Sequence, residues 1–234
     1  VVDRHSRQLA FDLSQAPHFG RDNFLVSSSN AAAFRLIEAW PNWPAHAVLL
    51  IGPPGSGKSH LAAIFAARTQ ATRISATALA QADLVALTAQ AAVVVEDADL
   101  IGADEASLFH VFNLAQELKI AMLLTARDKP ETWGLHTADL LSRLRLCTSV
   151  ELSAPDDALL EAVIVKLFFD RQLTVDAGVV GVMALHIERS FEAARRSVEL
   201  LDREALARGV PITKSLVREM LSAVSDDDHG NEGI

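Results

Sequence analysis

Apolar and polar residues fall into short blocks along this chain, and caps, glycines or prolines separate them. Five blocks are strand-sized apolar or β-branched runs: residues 48–51, 73–75, 92–95, 121–124 and 148–152. Between them lie alanine- and leucine-rich stretches whose apolar positions recur at helical spacing. Asn30 can cap a helix through Ala31, Phe34, Leu36 and Ile37 to Trp40, which ends at Pro41. Thr77 can cap an alanine-rich helix, and residues 104–118 present Leu108, Val111, Phe112 and Ala115 on one helical face. A further short helix is predicted near 140–144. Strands that alternate with helices predict an α/β base over residues 19–152, a parallel sheet covered on both faces.

Beyond Ser153-Ala154-Pro155-Asp156 the strand-like runs cease. Asp156, Asp176, Ser190 and Thr213 stand just ahead of apolar helical patterns at 159–169, 179–187, 191–207 and 216–224. They predict a small all-α lid over residues 153–225, followed by a disordered acidic tail at 226–234. Residues 1–18 show little periodicity and read as an extended tail.

Half the residues are apolar and tyrosine is absent, so the core is expected to be aliphatic and alanine-rich. A formal net charge of −9 argues against a general electrostatic grip on nucleic acid. Local basic groups at Arg143, Arg145, Arg195 and Arg196 leave room for at most a weak direct DNA contact. One cysteine, Cys147, excludes an internal disulfide and reads as a buried thiol. No apolar run approaches the ~20 residues that span a bilayer, and residues 1–8 are too charged for a secretory leader, so the expected setting is cytoplasmic, with no membrane partner.

The chemistry begins at Gly52-Pro53-Pro54-Gly55-Ser56-Gly57-Lys58-Ser59, which satisfies G-x-x-x-x-G-K-[ST] at every fixed position. An apolar run precedes it and a helical pattern starting with His60 follows. In that setting the glycines let backbone N–H groups turn inward around phosphate oxygens, and the helix N-terminus adds partial positive charge. Lys58 is expected to reach the β- and γ-phosphates and the Ser59 hydroxyl to ligate Mg2+. The run 93–95 then leads directly into Glu96 and Asp97. Glu96 is the expected metal-side acid and Asp97 the acid that orients water; the alternative is a plain pair of acids in a strand–helix turn, with Asp99 capping the next helix. A Glu stands where such sites usually have Asp, and its longer arm is expected to slow hydrolysis. Thr125 either senses a terminal phosphate or satisfies its own strand end. Arg143 and Arg189, taken alone, could be ordinary salt-bridged surface residues.

Taken in order, the P-loop with His60-Leu61, the acids after residue 95, Leu124-Thr125-Ala126 before Pro130, Leu141-Ser142-Arg143 and Arg189-Ser190-Phe191 resemble the DnaA-related initiator clade of AAA+ ATPases. The resemblance runs from Phe19 to Val224. It implies an adenine nucleotide, ADP or ATP, with Thr125 at or beside sensor 1 and Arg143 as the arginine finger that works in trans. It also implies Arg189 as the sensor 2 arginine and Phe24-Leu25 against adenine. The 234 residues leave no room after the lid for the basic helix-turn-helix domain of the initiator. The tail carries Gln8-Leu9-Ala10-Phe11-Asp12-Leu13, which resembles the bacterial sliding-clamp-binding peptide: Leu9, Phe11 and Leu13 would enter an apolar groove and Gln8 would bond at its rim. Otherwise those apolar residues cover the chain's own core. The combination resembles the regulatory branch of the clade, with the β clamp of DNA polymerase III and DnaA as implied partners and a homodimer as a further possibility. Two other classes stay open, a helicase loader or transposition helper of the DnaC type and a small-molecule P-loop kinase.

Overall fold

The structure, a computed structural model, describes residues 19–229. Contacts within the chain separate into two units that part between Ala154 and Pro155.

The first unit is built on five parallel strands, β1 (Ala47–Ile51), β2 (Thr72–Ser75), β3 (Ala92–Glu96), β4 (Ala121–Ala126) and β5 (Thr148–Glu151), in the order β2-β3-β4-β1-β5. Alternation along each strand divides the core in two. Leu49, Ile51, Val93, Val95, Met122 and Leu124 face the layer of α4 (Glu105–Glu117) and α5 (Ala138–Arg145). Val48, Leu50, Val94 and Leu123 face α1 (Ala31–Glu38) and α2 (Lys58–Thr69). Both sets are buried, which is why these runs read as continuously apolar rather than alternating. The expected α/β fold with a parallel sheet covered on both faces is therefore what the chain forms. At such positions a Leu-to-Ala truncation costs about 2–5 kcal/mol.

Local details differ from expectation. Asn30 precedes α1 but does not cap it; its Oδ1 accepts from Ser27 N at 2.9 Å and its Nδ2 donates to Leu25 O at 2.9 Å, which closes the preceding turn instead. The alanine-rich stretch after β2 is a 3-10 helix, Ala76–Gln81, without a side-chain cap from Thr77. The helix there is the short α3 (Leu84–Leu87), capped by Asp83. Asp99 caps nothing and turns toward β4. Cys147 is buried in the turn after α5 rather than in a strand, and burial, only partly opposed by a backbone hydrogen bond, pushes its thiol up to about 12.

The second unit holds α6 (Asp157–Asp170), α7 (Ala177–His186), α8 (Phe191–Arg208) and α9 (Lys214–His229), packed around Leu160, Ile164, Phe168, Met183, Val198 and Val217. Its caps lie where the sequence places them. Asp156 Oδ1 accepts from Leu159 N at 2.8 Å, Asp176 Oδ1 from Gly178 N at 2.8 Å and Ser190 Oγ from Ala193 N at 3.0 Å. Thr213 Oγ1 accepts from Leu216 N at 3.3 Å. Among the described residues no helix is long and apolar enough to cross a membrane.

Candidate functional site

Parallel strands bring their C-terminal ends to one edge of the sheet. β1 leaves that edge as the segment from Gly52 to Gly57 and re-enters structure as α2 at Lys58. Gly52 N donates to Ala126 O at 3.1 Å, which binds the start of the loop to the end of β4. A Cβ on Gly52 would collide with the carbonyl oxygen of Leu152 and crowd Ser56 Oγ, so only glycine lets the chain pass. Gly57, at φ 98°, turns the backbone into the helix from the left-handed region that disfavours side chains. Pro53, Pro54 and Ser59 are exposed around this turn while Gly52, Ser56 and Lys58 are buried. Lys58 Nζ donates to Gly52 O at 2.6 Å and Pro53 O at 2.9 Å. Burial lowers its pKa; the Asp97 and Asp99 carboxylates act against this.

Ser56 Oγ is buried and finds no hydrogen-bond partner among the described residues. A buried unpaired hydroxyl is costly, and an anion in the cradle would satisfy it. With a lysine, a buried unpaired hydroxyl and the start of a twelve-residue helix, the loop fits the phosphates of a nucleotide.

The acids behave differently from expectation. Glu96 ends β3, but its Oε1 accepts both Arg73 Nε at 2.9 Å and Nη2 at 2.6 Å. That engagement holds one carboxylate oxygen of the expected metal-side acid against β2. Asp97 stands at φ 51° and joins Asp99 in acting on Lys58. Thr125 is not at a strand end facing outward: it lies inside β4, fully buried, and its Oγ1 accepts from Asp97 N at 3.0 Å. Its hydroxyl therefore holds the acidic turn. The residue that leaves β4 beside the loop is Arg127, whose N donates to Asp99 Oδ1 at 3.2 Å and whose guanidinium lies 4.0 Å from Asp99 Oδ2. Arg73, Asp99 and Arg127 escaped the sequence reading as site neighbours; the register of β2 with β3 and of β1 with β4 is what brings them in.

His60, in the first turn of α2, lies edge-on to Phe19 and Phe24 with centroids 5.2 and 5.1 Å away, and its Nε2 is 3.1 Å from Gly20 O. Phe24 is stacked on Phe34 at 5.3 Å and is largely buried, while Leu25 is half-buried. His60, two residues beyond Lys58, thus joins the start of α2 to the segment that carries Phe19 and Phe24.

Arg143 lies at the other edge. It occupies the last turn of α5, which feeds the N-terminal end of β5, so the length of the strands, roughly 13–17 Å at 3.3 Å per residue, separates it from the loop. Its Nη1 donates to Gln116 Oε1 at 2.6 Å and its guanidinium lies 5.2 Å from the Phe109 ring centre. His46, before β1, is kept below the usual histidine range by burial and by Arg143. Arg145 is paired with Glu131, and Arg195 with Glu192 and Glu199, which neutralises much of the expected basic patch. Arg189 belongs to the helical unit, where its Nη2 is 2.8 Å from Asp157 Oδ1. Gln8, Leu9, Phe11 and Leu13 lie outside the described residues. A cleft of about 630 Å3 beside Glu105, Trp133 and His136 shares no lining residue with the P-loop.

A family model, that of the ATPase family associated with various cellular activities (AAA), matches residues 48–126, about a third of the chain. No curated protein sequence matches the chain. Among solved structures, domain III of the Thermotoga maritima replication initiation protein DnaA superposes with a TM-score of 0.77 at 15% identity, covering 89% of this chain and 97% of that one. AMPPCP-bound DnaA from Aquifex aeolicus gives 0.68 at 19% identity over 80% of this chain and 66% of that one. A point variant of Thermotoga maritima RuvB gives 0.68 at 18%, covering 85% and 70%. At such identities the likeness is one of fold, and the fold is the AAA+ P-loop NTPase fold.

Proposed function

We propose that this protein is a DnaA-related AAA+ regulator of chromosomal replication initiation, of the Hda kind. In this reading it holds an adenine nucleotide, ADP in the working form, as a structural ligand. The peptide from Gln8 to Leu13 docks on the DNA polymerase sliding clamp, and Arg143 is delivered to ATP bound by DnaA. Hydrolysis by DnaA is thereby stimulated and re-initiation prevented.

The observation that carries the reading is the placement of Arg143 at the sheet edge opposite the P-loop. An arginine there cannot reach the phosphates of its own subunit, and it suits the stabilisation of charge on a phosphoryl group held by a neighbour. Support for adenine comes from the fold neighbour that binds AMPPCP, and support for the phosphate site from the Lys58 cradle with its unpaired Ser56 hydroxyl. Lys58 and the loop amides would grip the phosphates, and the exposed Ser59 hydroxyl is the group placed to meet Mg2+.

The test is ATP turnover by DnaA in the presence of DNA-loaded clamp. Parent protein should accelerate it and the Arg143→Ala protein should not; equal acceleration by both removes Arg143 from the role. Clamp pull-down should be lost on Gln8→Ala.

A further inference from the structure

β2 is the edge strand of the sheet, and it pairs with β3 in parallel register, Thr72 beside Val93 through to Ser75 beside Glu96. Arg73 reaches along this pairing so that two of its N–H groups converge on a single oxygen, Oε1 of Glu96. The Glu96 side chain is only 17% exposed, so the pair is partly withdrawn from water. Charge-assisted bonds of this length are among the stronger ones a side chain makes. Mg2+ is held in nucleotide sites by one or two anionic carboxylates together with phosphates. A carboxylate whose charge a guanidinium already neutralises is a weakened ligand for it. Nearby, Asp97 and Asp99 act electrostatically on Lys58.

We propose that Arg73 is a positioning residue that locks Glu96 onto the sheet edge and takes it out of magnesium service. Nucleotide affinity is then set by the P-loop and not by a metal held through Glu96. This rests on the nucleotide-site reading above and adds a residue, Arg73, that converts a hydrolytic site into a holding one.

Calorimetric titration with ADP, in Mg2+ or in EDTA, tests it on four full-length proteins: parent, Arg73→Ala, Glu96→Gln and the double variant. The quantity read is the ratio of Kd without magnesium to Kd with it. It should stay within about threefold for parent and Glu96→Gln, rise to about tenfold or more in Arg73→Ala, and fall back in the double variant. Arg73 lies on an exposed edge, and Arg73→Gln serves the same purpose should the alanine protein lose its cooperative melt. An unchanged ratio in Arg73→Ala overturns the proposal. So does a gain that survives removal of the Glu96 carboxylate, or a parent that already depends about tenfold on magnesium. If Lys58→Ala binds ADP as the parent does, the nucleotide-site reading fails instead, which separates the two failures.

Discussion

Glu105 shows how much one carboxylate can organise. It is buried at the start of α4, and its two oxygens accept from His136 N and Thr137 N, each at 2.8 Å, with His136 Nδ1 3.4 Å away. Burial raises its pKa, but the hydrogen bonds from His136 and Thr137 outweigh this and bring it down to about 2. The folded value lies below the unfolded one, so the stabilisation is present in full above the ordinary glutamate range near 4.5 and drains away as pH falls toward 2. Glu105→Gln should cost about 1–3 kcal/mol at neutral pH and flatten the acid limb of the stability curve, read by denaturant titration at pH 7, 5 and 3. Thr125 is a second such residue. Thr125→Val should leave Asp97 N unpaired in a left-handed turn and cost about 1–3 kcal/mol, while ADP affinity measured by calorimetry changes less than in Lys58→Ala.

At the scale of elements, the P-loop was fully legible because its constraints are local: glycine where space or positive φ demands it, then a lysine that opens the helix. Gly52→Ala should force the loop away from Leu152 and Ala126 and so lower both melting temperature and nucleotide affinity, whereas the same change at Gly181 in α7 meets no neighbouring atom. The caps of α6, α7 and α8 were legible for the same reason, since an Asp or Ser reaches a backbone N–H two or three residues away. Asn30 and Thr77 carried the same signal and cap nothing. For Asn30 a tighter turn with Ser27 and Leu25 captured the amide first, a competition invisible in residue type alone. Helix α5 has no cap from its own sequence neighbour Thr137; the turn that leads into it is held instead by Glu105 of α4, which accepts from His136 N and Thr137 N thirty-one and thirty-two residues later.

For the whole molecule, the proposed function gives separate roles to one lysine and one arginine. If the proposed function holds, Lys58→Ala should abolish binding of an adenine nucleotide, whereas Arg143→Ala should retain it and lose only the proposed effect on DnaA, a split that calorimetry and the hydrolysis assay read separately. What the sequence determined by itself is the α/β fold, the order of its strands along the chain and the identity of the phosphate loop. Each follows from periodicity, caps and glycine positions that act over a few residues. Tertiary structure alone decided which strands became neighbours, and with that which charges meet. Pairing β2 with β3 brought Arg73 onto Glu96, the expected metal ligand. Pairing β4 beside β1 buried Thr125 and placed Arg127 at the loop. Running α5 into the far end of β5 put Arg143 out of reach of its own cradle. The physical reason is that charge–charge contacts across a sheet depend on register and order between segments 23 to 28 residues apart, for which no local pattern exists.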